Sequence, residues 1–155
     1  MKRKSTLLAG LLCAVIAAPA VQAQDANGAI KARKAAMQLY SHYMGKVGAM
    51  AKGATDYDAE AAQTAANNLQ AAANLDQSAM WPQGSDNGAM GDKTRALPAI
   101  WTTFPAISER GEEFSAAVAT LVADAGKGLP ALQAAVGQVG AACGACHKAY
   151  RAPRN

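Results

Sequence analysis

An all-α fold, an antiparallel four-helix bundle, is the architecture this sequence predicts, and three observations predict it. Apolar residues recur at spacings of three and four along four separate segments, which is the helical period. Alanine is abundant while prolines are few and aromatics only 5% of residues, a balance that favours helices over strands. Glycine, proline and capping residues stand where each segment should stop or start.

The first residues are set apart from that bundle. Lys2, Arg3 and Lys4 form a short positive region, Leu7 to Pro19 an apolar run broken only by Gly10, and Val21-Gln22-Ala23 offers small residues for cleavage. Residues 1–23 therefore read as a removed secretory signal, leaving residues 24–155 as one domain exported to the periplasm. A membrane anchor fits less well because the run is short, and no later stretch reads as a membrane span. Cys13 lies inside the signal and leaves with it.

Losing the signal changes the electrostatics. The whole chain carries 15 basic and 11 acidic residues, a formal charge of +4, but three of the basic residues are Lys2, Arg3 and Lys4. The mature domain then has 12 against 11, or +1. A near-neutral domain without a basic run gives no reason to expect nucleic acid as a partner.

Each helix is justified in turn. Over residues 27–51, Ile30, Arg33, Met37, Tyr40, Met44 and Val47 form a seam with one charged member. Gly53 ends that helix, and Thr55, Asp56 and Asp58 are candidate caps for a second over 57–75. Its stripe, Ala62, Ala65, Leu69 and Ala72, is mostly small and implies a bulky neighbour. Residues 76–97 read as one long irregular connection, of a length that usually covers something or has a function. Pro98 opens a short turn through Trp101, and Thr103 and Pro105 look like cap and early-turn residues of a third helix over 104–124, with Ile107, Gly111, Phe114, Val118 and Leu121 on one face. After Gly126, Gly128 and Pro130 comes a fourth, with Leu132, Val136, Val139, Cys143, Cys146 and Tyr150 inward.

The fourth helix ends in "ACGACHKAY", which brings both mature cysteines beside one of only two histidines. Cys143 and Cys146 are three residues apart and Cys143 and His147 four, so two thiols and an imidazole share one helical face. A redox dithiol belongs at a helix N-terminus in a βαβ setting, whereas this pair lies near a C-terminus. Structural zinc needs a fourth ligand, and His42 falls outside the first helix's seam. Covalent haem uses all three residues: thioethers at Cys143 and Cys146 and an axial bond from His147, one haem c per chain.

Because only eight residues follow His147 and none is Met, any sixth iron ligand must come from upstream. Met37 is the leading candidate on its seam position, the bland alternative being that it only packs. Met80 and Met90 in the connection stay open. Arg33, one turn before Met37, suits pairing with a haem propionate or a solvated surface position. Arg151 suits either the proximal side of the haem or a cation at the helix C-terminus.

With these features together, "GAACGACHKAYR", "ARKAAM", "AKGATDYDAEAA" and "RALPAIW" resemble the landmarks of the class II c-type cytochromes, the cytochrome c prime family with its Met-ligated low-spin relatives. The resemblance spans essentially the whole mature chain. It implies thioethers at Cys143 and Cys146, axial His147, Arg33 near a propionate and Met37 at the distal position. It also implies electron transfer with redox proteins of the periplasm, and in the cytochrome c prime branch often a homodimer through the first two helices. The function expected is a one-electron carrier closed by Met37, performing no chemistry on a substrate. The alternative is five-coordinate iron that binds nitric oxide or carbon monoxide, with Met37 as a steric gate. A peroxidase-like enzyme ranks last, for want of a distal acid or base.

Overall fold

The computed structural model describes residues 18–154. In chain order the helices are α1 (Ala18–Ala51), α2 (Ala59–Ala73), two single turns α3 (Asn87–Met90) and α4 (Ala99–Thr102), then α5 (Ala106–Asp124) and α6 (Leu129–Tyr150). The four long helices form the bundle, with α1 against α2 and α6, and α5 against α2 and α6. The secretory signal expected over residues 1–23 lies outside the described residues apart from its last six, which open α1. Residues before 27 are thus already helical.

The connections follow local chemistry. The Asp58 carboxylate accepts a hydrogen bond from the Ala61 N–H at 2.8 Å and caps α2. Gly128, at a φ of +118° that a side chain would resist, turns the chain from α5 into α6. The Tyr57 hydroxyl supports that turn, donating to the Ala125 carbonyl and accepting from the Gly128 N–H, both at 2.9 Å. Thr103 does not cap the third long helix as expected: α5 has no side-chain cap, and the Thr103 hydroxyl donates instead to the Ala99 carbonyl behind it. The preceding turn, α4, offers that carbonyl, and a hydroxyl four residues on reaches it readily.

The core is concentrated toward one end. Val47, Leu69, Val118, Leu121, Leu132 and Val139 are almost wholly buried there, each contributing about 1.5–3 kcal/mol relative to exposure. Ala62, Ala65, Ala66 and Ala72 give α2 an inner face of small side chains, as its sequence predicts. The face expected for the third helix is only partly realised. Gly111 is exposed and Ile107 half-buried, and full burial starts at Ala117. The N-terminal half of α5 borders the end of the bundle where apolar side chains thin out.

Two interhelix bonds set the register. Gln133 Nε2 on α6 donates to the Ala51 carbonyl of α1 at 2.8 Å, and Gln63 Nε2 on α2 donates to the Val122 carbonyl of α5 at 2.9 Å. Since α1 and α6 are antiparallel neighbours, fourteen residues onward from Gln133 and fourteen back from Ala51 rise about 21 Å to the same level. Those positions are His147 and Met37.

The connection from α2 to α5 is more ordered than its composition suggests, holding 3₁₀ turns at Ser78–Met80 and Gly91–Lys93 besides α3. Asp86 caps α3, accepting from the Gly88 and Ala89 N–H groups. Its last residues pair with the chain after α6: Ala96 and Arg151 form an antiparallel bridge, and the Leu97 N–H donates to the Tyr150 carbonyl at 3.0 Å. Contrary to the sequence reading, α6 is long and apolar enough to cross a membrane by length and composition. It nevertheless lies against α1 and α5, with Leu132, Ala135, Val139 and Tyr150 buried.

Candidate haem site

The last two turns of α6 carry Cys143, Cys146 and His147, all half-buried. Neither cysteine is in a disulfide. Burial pushes both thiols above the usual cysteine value; the neighbouring Cys146 adds to this at Cys143, while Arg110 and Arg151 oppose it at Cys146. Burial also lowers the His147 pKa, helped by the positive charges of Arg151 and Arg95, and so favours the neutral imidazole that can bind a metal.

Met37 differs from its expected place. Its spacing puts it in the inner seam, but the buried positions there belong to Arg33, Ala36 and Tyr40, while Met37 is 39% exposed. One residue along a helix turns the side chain by about 100°, enough to carry Met37 off the packed face. A methionine that served only to fill the core would be buried.

Arg33 is 3% exposed. Its Nη1 donates to Ser85 Oγ at 2.7 Å and to the Met80 carbonyl at 3.4 Å. Its Nη2 donates to the Ser85 carbonyl and, at 2.7 Å, to Thr94 Oγ1. The guanidinium also lies 4.7 Å from the centre of the Trp81 ring. Every acceptor is neutral, and desolvation lowers the Arg33 pKa against the partly opposing charge of Asp86. The solvated surface position is thereby excluded. Ser85, fully buried, and Thr94 were missed by the sequence reading; a serine and a threonine inside a Gly-rich connection look like ordinary turn residues.

Trp81 and Trp101 extend this wall. Their ring centres are 6.2 Å apart, and Trp101 Nε1 donates to the Trp81 carbonyl at 2.9 Å. Met80 and Met90, left open in sequence, are both half-buried in the connection. His42 is exposed and points away, as its position outside the seam predicts. Two open grooves of about 420 and 480 Å³ along α1 and α2 are lined by Tyr43, Lys46, Asp58 and Ala61 among others, and neither includes Cys143, Cys146 or His147.

The donor set fits a covalently held haem. Two free thiols and a neutral imidazole share one face of α6, and the apolar residues of that end, Met37, Ile107, Phe114, Trp81 and Trp101, are incompletely covered by protein. This is the arrangement of a c-type haem protein built on a helical bundle.

The comparisons agree with that class. The family model described as Cytochrome C' matches residues 28–151. Cytochrome c-554 of Cereibacter sphaeroides is 42% identical over 144 residues, covering 91% of this chain and 93% of that protein. Among solved structures, a cytochrome c' from Rhodobacter spheriodes superposes with a TM-score of 0.81 at 36% identity, over 83% of this chain and 98% of that one. A cytochrome c prime variant from Alcaligenes xylosoxidans, solved as its nitric oxide complex, gives a TM-score of 0.73 at 30% identity, over 83% and 97%. The chain belongs to the cytochrome c' family, whose members carry covalently bound haem c.

Proposed function

We propose that the protein is a periplasmic one-electron carrier whose haem is joined through Cys143 and Cys146 and ligated by His147 and Met37. The observation that carries this reading is the Gln133–Ala51 bond between α6 and α1, from which ideal helical rise puts Met37 and His147 at similar levels, together with the exposure of Met37 beside a buried seam. When bound, the haem supplies a reversible one-electron centre.

The protein's own residues do the rest. Cys143 and Cys146 would anchor the group, and neutral His147 and the Met37 thioether would hold its iron, Met37 also keeping small molecules away from it. Arg33 is a buried cation that forms no salt bridge among the described residues, its hydrogen bonds all going to neutral acceptors, and a propionate would add to the counter-charge of the more distant Asp86. Export through the N-terminal signal meets the needs of thioether formation, and redox proteins of the same compartment are the partners. Self-association, where it occurs, would use α1 and α2.

The competing reading, a binder of nitric oxide or carbon monoxide, draws on the related structure that holds nitric oxide and on the solvent access beside Met37. Optical spectra of the purified protein, oxidised and reduced, with and without carbon monoxide, separate the two. A sulfur-to-iron band in the oxidised form and indifference to the gas are expected for the carrier. Broad high-spin bands that shift with carbon monoxide would replace it by the gas binder.

A further inference from the structure

We infer that the surface around the C-terminal end of α6 is a docking site for an acidic redox protein, an inference that rests on the haem reading above. Arg95 from the long connection, Arg110 from α5 and Arg151 from the chain after α6 are close enough to act on Cys146 or His147, and Arg154 is close enough to act on Arg95. The gathering is built by backbone pairing. Beside the Ala96–Arg151 bridge, the Ala152 N–H donates to the Arg95 carbonyl at 2.8 Å and Arg95 Nε donates to the Ala152 carbonyl at 2.7 Å.

The positive charges act on one another and on the site. Arg151 and Arg154 add to desolvation in lowering the Arg95 pKa, Arg151 and Arg95 act on His147, and Arg110 and Arg151 act on Cys146. Glu109, Glu112 and Glu113 flank Arg110 on α5, and Glu113 pairs with it at 2.7 Å. The other ion pair among the described residues joins Lys127 to Asp124, so Arg95, Arg151 and Arg154 form no salt bridge to a described carboxylate. Holding like charges together without a counter-charge is unfavourable, and an anionic surface laid over them would relieve it.

Phe104 identifies the occupant as a protein. It is 78% exposed, and its neighbour Thr103 shares a 3.0 Å hydroxyl contact with Tyr150, the residue before Arg151. An exposed aromatic with an arginine rim is the anatomy of a protein interface, where the ring is the anchor and the charges orient the approach. A protein docked there would be beside the iron ligand His147. In the exchange one electron leaves the partner's reduced centre and is taken up on the haem side; no bond forms or breaks and no proton moves. With a mature charge of only +1, the attraction must come from this patch and not from the molecule as a whole.

The test uses the haem-loaded protein, its haem first verified by the pyridine haemochrome spectrum. Reduction by flavodoxin hydroquinone, a strongly acidic flavoprotein, is followed by stopped flow, and oxidation by ferricyanide serves as the small-anion comparison. The flavodoxin rate constant should fall about tenfold from low to high salt. At low salt it should fall about fivefold in the double variant Arg95→Gln/Arg154→Gln, about twofold in Arg154→Gln, and about threefold in Phe104→Ala. Arg154 makes no hydrogen bond among the described residues, so its variant leaves the fold intact. Lys52→Gln, at the opposite end of the bundle, should leave the rate unchanged. A rate indifferent to salt and to arginine loss would overturn the inference. So would equal responses of flavodoxin and ferricyanide with no effect of Phe104→Ala, which would mean attraction of any anion. A protein without the haemochrome signature would instead overturn the haem reading itself.

Discussion

Arg33 and Ser85, 52 residues apart in sequence, are joined by two hydrogen bonds through which helix α1 holds the long α2–α5 connection. The side-chain hydroxyl and the backbone carbonyl of Ser85 each accept from a different guanidinium nitrogen, and Ser85 Oγ in turn donates to the Pro82 carbonyl at 2.8 Å. The planar fork of arginine matches this set of acceptors, whereas a lysine ammonium could satisfy only part of it. Arg33→Gln should destabilise the haem-loaded protein by about 3 kcal/mol, because it strands buried acceptors on Ser85 and Thr94. Arg33→Lys should recover less than half of the loss. Denaturant melts measure both, and limited proteolysis should cut first within residues 76–97. A melt unchanged in Arg33→Gln would show that the connection is held by something else.

Met37 is the residue on which the two functional readings divide. Met37→Ala should convert a low-spin oxidised spectrum to high-spin and open the protein to carbon monoxide, since no other methionine is at the level of His147 on α1. If Met37 only obstructs the distal face, the oxidised spectrum should stay as it was while carbon monoxide binds faster.

In the proposed function Cys143 and Cys146 are the anchors of the haem. With both replaced by Ala, haem should be removed completely by acidified organic solvent, while each single variant should retain it through one thioether. Haem that resists extraction from the double variant would contradict attachment at these thiols. The comparison is read on denatured protein, so it does not depend on activity.

Tyr40 links stability to pH. Its hydroxyl accepts from Gln77 Nε2 at 2.6 Å and donates to the Ala72 carbonyl at 3.3 Å, and burial raises its pKa above the ordinary tyrosine value of about 10. A raised pKa means that the folded protein holds the proton more tightly than the unfolded chain. The stabilisation is therefore complete below about pH 10 and is lost as pH rises through the folded value. Tyr40→Phe should cost about 1 kcal/mol at neutral pH and should flatten the alkaline fall in stability. An equally steep fall in the variant would assign it to other groups.

The helical plan was legible because it depends on local periodicity. The stripe of α2 and the inward face of α6 were readable from spacing alone, and so was the cap at Asp58 as one of three candidates. The cysteine–histidine face of α6 was legible for the same reason: its three side chains lie within five residues of a single helix. The seam position expected for Met37 is taken by Ala36, since a choice between adjacent helical positions depends on what each neighbour presents.

What the sequence by itself determined is thus the four long helices, the buried stripe of α2 and the cysteine–histidine face of α6, all consequences of one helix's own geometry. Only the tertiary structure decided what lies across from them. Gln133 against Ala51 sets the level of Met37 relative to His147, and Ser85 and Thr94 take the Arg33 guanidinium into the interior. The bridge at Ala96 and Arg151 gathers arginines from distant segments. Contacts between residues fifty or more apart depend on how whole helices and loops pack, and no local spacing encodes that.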